Sequence, residues 1–278
     1  MKNKTERFSP RLLLSYAVLI LGAVFMLLPF FWMVLTSLKT RPEAVKVPIQ
    51  WLPASPQWEN YKLILTRYKF SRYYLNTAIV TVCEVSFQLI TCAMAAYVFA
   101  RLDFPGKSFL FFLCMTVLMV PAQMLLIPRF IITMKMNLLD SLAGIIIPNL
   151  PSIYGCLFLR QHFASLPREL DESARLDGCG YFRTFFSILL PLVRNGMVAF
   201  GVLTTLWAWN DMLWPMVVVQ RQRNYVLSIA ISALQGQYSS NTPLLMTAGT
   251  LSMLPMLVVF IIGQRSLLSG IALSGIKG

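Results

Sequence analysis

The sequence predicts an all-α, polytopic membrane protein with six transmembrane helices, and three observations predict it. Of the 278 residues 57% are apolar and only 13% are charged, about half the charged share of a soluble domain. The mean hydropathy is +0.65. Six apolar runs, each near the ~20 residues that a bilayer-crossing helix needs, are separated by charged or turn-rich stretches. The short alternating segments of a membrane β-barrel are absent from the sequence. The same figures exclude a disordered chain, a secreted disulfide scaffold and an ordinary water-soluble enzyme.

Residues 1–11 form a short basic N-terminal segment with Lys2, Lys4, Arg7 and Arg11. The first span covers 12–38 and carries no charge. It is too long for the ~7–15-residue apolar region of a signal peptide, and Pro29-Phe30-Phe31-Trp32 is no small-residue cleavage site. The second span, 74–100, holds one charge, Glu84. The third is 108–128, the fourth 141–159, the fifth 191–219 with Asp211 inside it, and the sixth 243–263.

Six spans place both termini on one side. Lys and Arg divide almost equally between the two sides, so their count decides nothing. The N-terminal cluster leans toward an inner N-terminus.

Between spans, residues 39–72 contain Pro42, Pro48, Pro53 and Pro56 with Trp51, Trp58 and Tyr61. This pattern predicts an extended segment with turns, anchored by aromatics at the membrane surface. Residues 224–264 are free of charge but too long for one span. The polar run from Gln235 to Asn241 predicts a loop, and Val226 to Leu234 a short surface helix. No internal repeat is visible.

The net charge of +13 would suggest nucleic acid in a soluble protein. Here the bases flank apolar runs, where they meet anionic headgroups, and no nucleic-acid partner is expected. Four of the five cysteines lie within apolar runs and none forms a C-x-x-C pair, which reads as small buried hydrophobes. The single histidine, His162, leaves no second partner for a metal site or a Ser/His/Asp triad. No metal ligand or catalytic residue is therefore assigned, and the chain is not expected to be an enzyme.

The loop 160–190 is the most informative stretch. Pro167 fits the first position of a helix, Glu169, Asp171 and Glu172 fall at its positive end, and Gly178 fits the left-handed residue that stops it. The pattern predicts a polar helix of about three turns with Leu170, Ser173, Ala174 and Asp177 on one stripe. Ser173, Ala174 and Gly178 are small enough to let another surface approach. Residue chemistry alone does not separate a docking helix from a solvated helix lying on the membrane.

At these residues the sequence resembles a known family. Glu172-Ser173-Ala174, then Gly178, then Ile188 and Leu190-Pro191 at the family's spacing, is similar to the EAA loop of membrane subunits of binding-protein-dependent ABC importers. The middle position is usually Ala and here is Ser173. Trp209-Asn210-Asp211-Met212-Leu213-Trp214-Pro215 resembles the span-five segment of the carbohydrate-type subfamily. Pro56 to Tyr61, Leu254-Pro255, Gln264-Arg265 and the ending Gly270 to Gly278 resemble its first outer loop, sixth span and Gly-rich tail. The whole chain is similar to the smaller, six-span permease of maltose-type importers.

The resemblance implies a type I ABC importer transmembrane fold over 12–278 in a bacterial inner membrane, with N-terminus, C-terminus and coupling loop 160–190 cytoplasmic. It implies four kinds of partner: a second, non-identical permease, two cytoplasmic ATPases, an extracytoplasmic solute-binding protein, and a sugar or oligosaccharide cargo. The ATPases would use ATP-Mg, because this chain has no Walker A loop and is expected to bind no cofactor itself. Glu172, Ser173, Ala174, Arg175, Asp177 and Gly178 would couple to the ATPase, and the tail from Gly270 would approach it too.

Glu84 has three open readings: lining the cargo path, pairing with a base of the partner permease, or sitting protonated in a helix contact. Asn210 and Asp211, beside Trp207 and Trp209, suit a sugar path but also suit family-wide packing. Arg221, Arg223 and Gln235 are candidates to meet the binding protein, with headgroup anchoring as the rival role for the two arginines. A non-sugar cargo such as a glycerol phosphate or an opine is the nearest alternative. An intramembrane enzyme, which lacks the paired groups it would need, and a secondary transporter, which would work without ATPases, are further away.

Overall fold

The computed structural model describes residues 10–237 and 241–275. In chain order the helices are α1 (Pro10–Ser37), α2 (Arg41–Ala44), α3 (Glu59–Thr66), α4 (Phe70–Arg101) and α5 (Lys107–Leu118). A 3-10 turn (Ala122–Leu125) leads into α6 (Leu126–Lys135), followed by α7 (Leu142–Asn149), α8 (Ile153–Ala164) and α9 (Glu169–Leu176). Then α10 (Tyr181–Arg183), a π-helical turn (Thr184–Leu189) and α11 (Leu190–Leu192) lead to α12 (Arg194–Asn210) and α13 (Leu213–Val218). The last two are α14 (Leu227–Gln237) and α15 (Thr242–Gly275). No strand occurs among the described residues.

Three helices are long and apolar enough to cross a bilayer unbroken: Leu12–Ser37, Phe70–Arg101 and Thr242–Ser266. The other three expected spans are each broken. Lys107–Leu118 meets Ala122–Lys135 at 94°, Leu142–Asn149 meets Ile153–Ala164 at 44°, and Tyr181–Leu192 meets Arg194–Val218 at 78°. Uniform apolar composition concealed these breaks, although Pro121 and Pro151 stand at two of them and Pro191 lies two residues before the third. Proline removes the N–H that continues a helix.

The chain divides into two compact units: the stretch up to Lys69 with Ala233–Ser252, and Phe70–Ser232 with the stretch from Met253. In the first unit, α1 is apolar and exposed along most of its length, as a lipid-facing helix is. Its end is pinned by the loop that follows. Asn60 Nδ2 donates to the carbonyls of Ser37 (2.9 Å) and Lys39 (3.1 Å), and Tyr61 Oη shares a hydrogen bond with Ser37 Oγ (2.6 Å). Lys39 is buried, lies over the Trp32 ring and donates to the Gln50 carbonyl. The loop is therefore less extended than expected: it folds into α2 and α3, with Trp51 packed edge-on against Trp32 at 5.3 Å.

The second unit is built on the crossing of α4, α8 and α12. Ala93, Ala96, Gly155, Gly196 and Ala199 let the backbones approach, and Leu159, Phe163 and Phe200 fill the space between them, all three fully buried. In a bilayer such close fit drives association, since lipid is as apolar as leucine. Val226, Leu227, Ile229 and Ala230, at the start of α14, are also buried. The expected surface helix at 226–234 is thus an interior one, and its polar side chain Ser228 has a structural task.

That task is shared by several side chains. Pro148 has no N–H for the carbonyl of Gly144, and Trp214 Nε1 donates to that oxygen instead (3.2 Å). Asp211 is extended between α12 and α13, so its carbonyl has no helical donor, and Ser228 Oγ takes it up at 2.6 Å. Where α7 ends, Gln88 Nε2 donates to the carbonyl of Asn149 (2.7 Å). Ser228→Ala should lower stability by about 0.5–1.5 kcal/mol, read as a fall in the thermal midpoint in detergent. Gly155→Leu should cost more, about 1–3 kcal/mol, because its Cβ would run into the Phe200 ring and the Cys92 sulfur.

Candidate functional site

A cleft of about 890 Å³ opens in the second unit, lined by the bend between α7 and α8 and by a further interruption between α12 and α13. Pro148, Asn149, Pro151 and Ser152 come from the break between α7 and α8. Asn210, Asp211, Met212 and Leu213 come from the break between α12 and α13. Glu84 and Gln88 of α4, Arg129 of α6, and Thr204 and Trp207 of α12 complete the polar and aromatic wall.

Of the expected pathway residues, Glu84, Trp207, Asn210 and Asp211 line this cleft and Trp209 does not. Trp209 is buried and packs edge-on against Tyr74 at 5.9 Å. Two residues on a helix lie ~200° apart, so only one of Trp207 and Trp209 can face the cleft. Trp207 is half exposed and rests edge-on against Tyr154, ring centroids 5.0 Å apart.

Asn149 is the centre of the polar wall. Its Nδ2 donates to Glu84 Oε1 at 2.8 Å, and its Oδ1 accepts from Arg129 Nη2. The Arg129 guanidinium lies 3.9 Å from the centroid of the Trp214 ring. Asp211 Oδ1 faces the N–H of Trp214 at 3.5 Å, and both Asp211 and Glu84 lie within electrostatic reach of Arg129. Two carboxyl groups and one guanidinium thus share the wall with three amides, and buried charges of this kind persist only when paired and hydrogen-bonded. The hydroxyl of Thr204 is buried in the same wall without a partner.

Arg129, Asn149 and Gln88 were not expected here. Arg129 sat just past the predicted end of the third span and read as an outer base. In the structure α6 continues through Lys135 after the 94° bend and brings Arg129 inward. A polar Asn149 next to Pro148 inside an apolar run was the available signal.

The loop helix α9 is eight residues long, about two turns instead of three, and begins two residues after Pro167. Helix α8 runs on to Ala164 and α10 starts at Tyr181, so the unspanned part of 160–190 is shorter than expected. Gly178 ends α9 at φ +73° as anticipated. The N–H of Cys179 reaches the carbonyl of Ala174 (2.8 Å) and that of Gly178 reaches Arg175 (3.0 Å), a Schellman closure.

Ala174 is buried against its own chain, with Leu170 and Asp171 half-buried beside it. In this chain Ala174 seats the helix, and the exposed coupling candidates lie around it. Glu172, Ser173, Arg175, Asp177 and Gly178 are exposed, and Leu176 is 89% exposed. Tyr181 and Phe182 add exposed aromatic surface next to it. The Arg175 guanidinium lies 6.0 Å from the Tyr181 ring centroid.

Arg221, a candidate for the binding protein, is exposed and pairs with Asp140, Nε to Oδ2 at 3.0 Å. Asp140 Oδ1 also accepts the N–H groups of Arg221 (2.9 Å) and Gln220 (3.2 Å). Arg223 is exposed and its carbonyl accepts from Arg72 Nε (2.9 Å) and Asn76 Nδ2 (3.0 Å). Gln235 is exposed in the first unit. The expected contributions of residues 1–9, of the loop tip 238–240 and of the last three tail residues lie outside the described residues. Among the described residues no three His, Cys, Asp or Glu side chains gather to hold a metal ion.

Comparison with known proteins places this geometry. Residues 89–272 match the family described as binding-protein-dependent transport system inner membrane component. The chain is 30% identical to an arabinooligosaccharides transport system permease protein of Bacillus subtilis, over 100% of both chains. It is 30% identical to a diacetylchitobiose uptake system permease protein of Streptomyces coelicolor, covering 93% of this chain and 87% of that one. Among solved structures it superposes with TM-score 0.81, at 22% identity and over 94% of this chain and 99% of the other, on a bacterial ABC transporter that imports the acidic polysaccharide alginate.

Two predictions follow from the geometry. Asn149→Leu leaves Glu84 and Arg129 without their bridge and should destabilise the protein by about 1–3 kcal/mol in thermal unfolding. The N–H of Arg221 is the main force holding the Asp140 carboxyl below the ordinary aspartate range, assisted by Gln220, Asn224 and the Arg221 charge against an opposing desolvation. Stability from this contact is therefore complete above the ordinary aspartate pKa of about 3.9 and is lost as pH falls through the lowered value. Asp140→Asn should flatten the acid limb of a melting-temperature profile.

Proposed function

The chain belongs to the family of binding-protein-dependent transport inner membrane components, and from that premise we propose that it is the permease subunit of an ATP-driven importer of a neutral sugar or oligosaccharide. It would form half of the translocation path, with a second, non-identical permease forming the other half. Two ATPases would bind on the cytoplasmic side and use ATP-Mg, and a solute-binding protein would deliver cargo from outside. The chain itself would bind no nucleotide and catalyse no reaction. Both termini and α9 would face the cytoplasm.

The observation that carries this reading is the two-sidedness of α9. One face is sealed on the chain by Ala174 and Leu170. The other presents Glu172, Ser173, Leu176, Asp177 and Gly178, with a leucine almost wholly exposed at its tip. Leu176, with the exposed rings of Tyr181 and Phe182, offers apolar surface that a cleft in an ATPase would bury. Closure of the ATPase pair would then move α9 and rock the spans between inward- and outward-facing packings.

The cleft supports the cargo class. Trp207 offers a half-exposed ring to a sugar face, and Asn210, Asp211 and Thr204 offer hydrogen-bonding groups to hydroxyls. Carboxyl groups outnumber the guanidinium, which disfavours a phosphorylated or otherwise anionic cargo. The arabinooligosaccharide and diacetylchitobiose relatives support a saccharide cargo, while the structural neighbour imports an acidic one. Broken helices around a polar site also suit a secondary transporter; uptake that continues in ATP-depleted vesicles would favour that reading.

Two experiments test the proposal. In complexes assembled with the partner permease, Glu172→Lys and Leu176→Asp should release the ATPases in a pull-down while keeping the permease pair. Full retention by both variants contradicts docking through α9. In reconstituted vesicles Glu84→Gln and Asp211→Asn should each slow uptake about tenfold, equivalent to ~1.4 kcal/mol. Normal uptake by both would remove them from the path.

A further inference from the structure

We propose that Arg101 is a positioning residue that joins the loop helix α9 rigidly to α4, so that α4 acts as the rod carrying movement from the loop to the cleft. The inference rests on the reading of α9 as the ATPase contact. Arg101 is the last residue of α4. Its side chain is only 3% exposed although it lies at a helix end, and Asp171, on the first turn of α9, is 17% exposed. Nε of Arg101 lies 3.2 Å from Asp171 Oδ2 in an ion pair, and Nη2 donates to the carbonyl of Pro167 at 2.8 Å. One guanidinium thus holds α9 by charge and the segment entering it by a hydrogen bond, although Nε itself has no hydrogen-bond partner.

Two further observations make this joint mechanical. The first is what lies next to α9. A pocket of about 220 Å³, lined by Tyr97, Asp171, Arg175, Cys179, Tyr181 and Thr184, lies beside the helix. Helix α9 is seated by Ala174 and Leu170 and tied by Arg101, with the pocket leaving room on its Asp171 and Arg175 side. Packed interiors lack such space.

The second is the form of α4. It runs 32 residues without a break, while three of the other spans bend by 44–94°. Glu84, hydrogen-bonded to Asn149 in the cleft wall, stands seventeen residues before Arg101 on this rod, ~26 Å away. A push on α9 therefore reaches the cleft through one continuous helix fixed at both ends by polar contacts. Without the Arg101 joint, α9 would follow the ATPases while α4 stayed behind.

The test uses the assembled transporter in vesicles, with cargo uptake and ATP hydrolysis measured together. Arg101→Gln and Asp171→Asn should keep the ATPases bound and hydrolysing while cargo moved per ATP falls about tenfold, within the usual range of a coupling free energy. The exchange Arg101→Asp with Asp171→Arg should recover much of the ratio. A role in stability alone would lower the amount of complex and leave the ratio unchanged.

Should Arg101→Gln fail to assemble, Arg101→Lys carries the test: an ammonium keeps the charge without the fork, and a fall of about threefold is expected. A wild-type ratio in the variants that assemble overturns the inference. So does loss of the ATPases from Arg101→Gln while Asp171→Asn is normal. Retention of the ATPases by Glu172→Lys and Leu176→Asp is the separate result that removes the docking reading, and the inference with it.

Discussion

Backbone that leaves a helix inside a bilayer must find its hydrogen-bond partners within the protein, because lipid offers none. This constraint shapes the second unit of the chain. Pro148 frees the carbonyl of Gly144, the extended backbone at Asp211 leaves a second without a helical partner, and the end of α7 frees a third. Trp214, Ser228 and Gln88 capture them. Each capturing side chain comes from a segment distant in sequence, so satisfying the breaks and assembling the fold are one event.

The same need explains where the polar cleft lies. Broken helices expose carbonyls and demand donors, and donors brought together in an apolar bundle create the one environment where Glu84, Arg129 and Asp211 can be tolerated. Asn149 links a carboxyl and a guanidinium that would otherwise be costly to bury. A cleft lined with hydrogen-bonding groups is thus a by-product of backbone chemistry, enlarged by Trp207 and Thr204. Because its walls come from two breaks, a change in either alters its shape, as alternating access requires.

The loop helix shows a second economy. Eight residues serve two surfaces. Ala174 and Asp171 hold the helix to its own chain, and the residues between them face outward. Gly178 closes the helix in a left-handed conformation with nothing within 4 Å of where a Cβ would be, so the glycine is needed for backbone geometry and not for close packing within the chain.

Length, apolar runs and the spacing of Glu172, Gly178, Ile188 and Leu190-Pro191 determined the helical membrane class, six runs, the polar loop helix and its stop. These are local properties, written in periods and turn residues that act within a few positions. The 94° turn that carries Arg129 inward, the burial of Ala174 and of the first turns of α14, the withdrawal of Trp209 and the pairing of Arg221 with Asp140 were decided only by tertiary structure. In an almost uniformly apolar helix no amphipathic stripe marks which side faces inward. Direction is then set by which distant donor reaches which orphaned carbonyl and which small residue admits a neighbour, and neither is expressed in the order of residues along a single span.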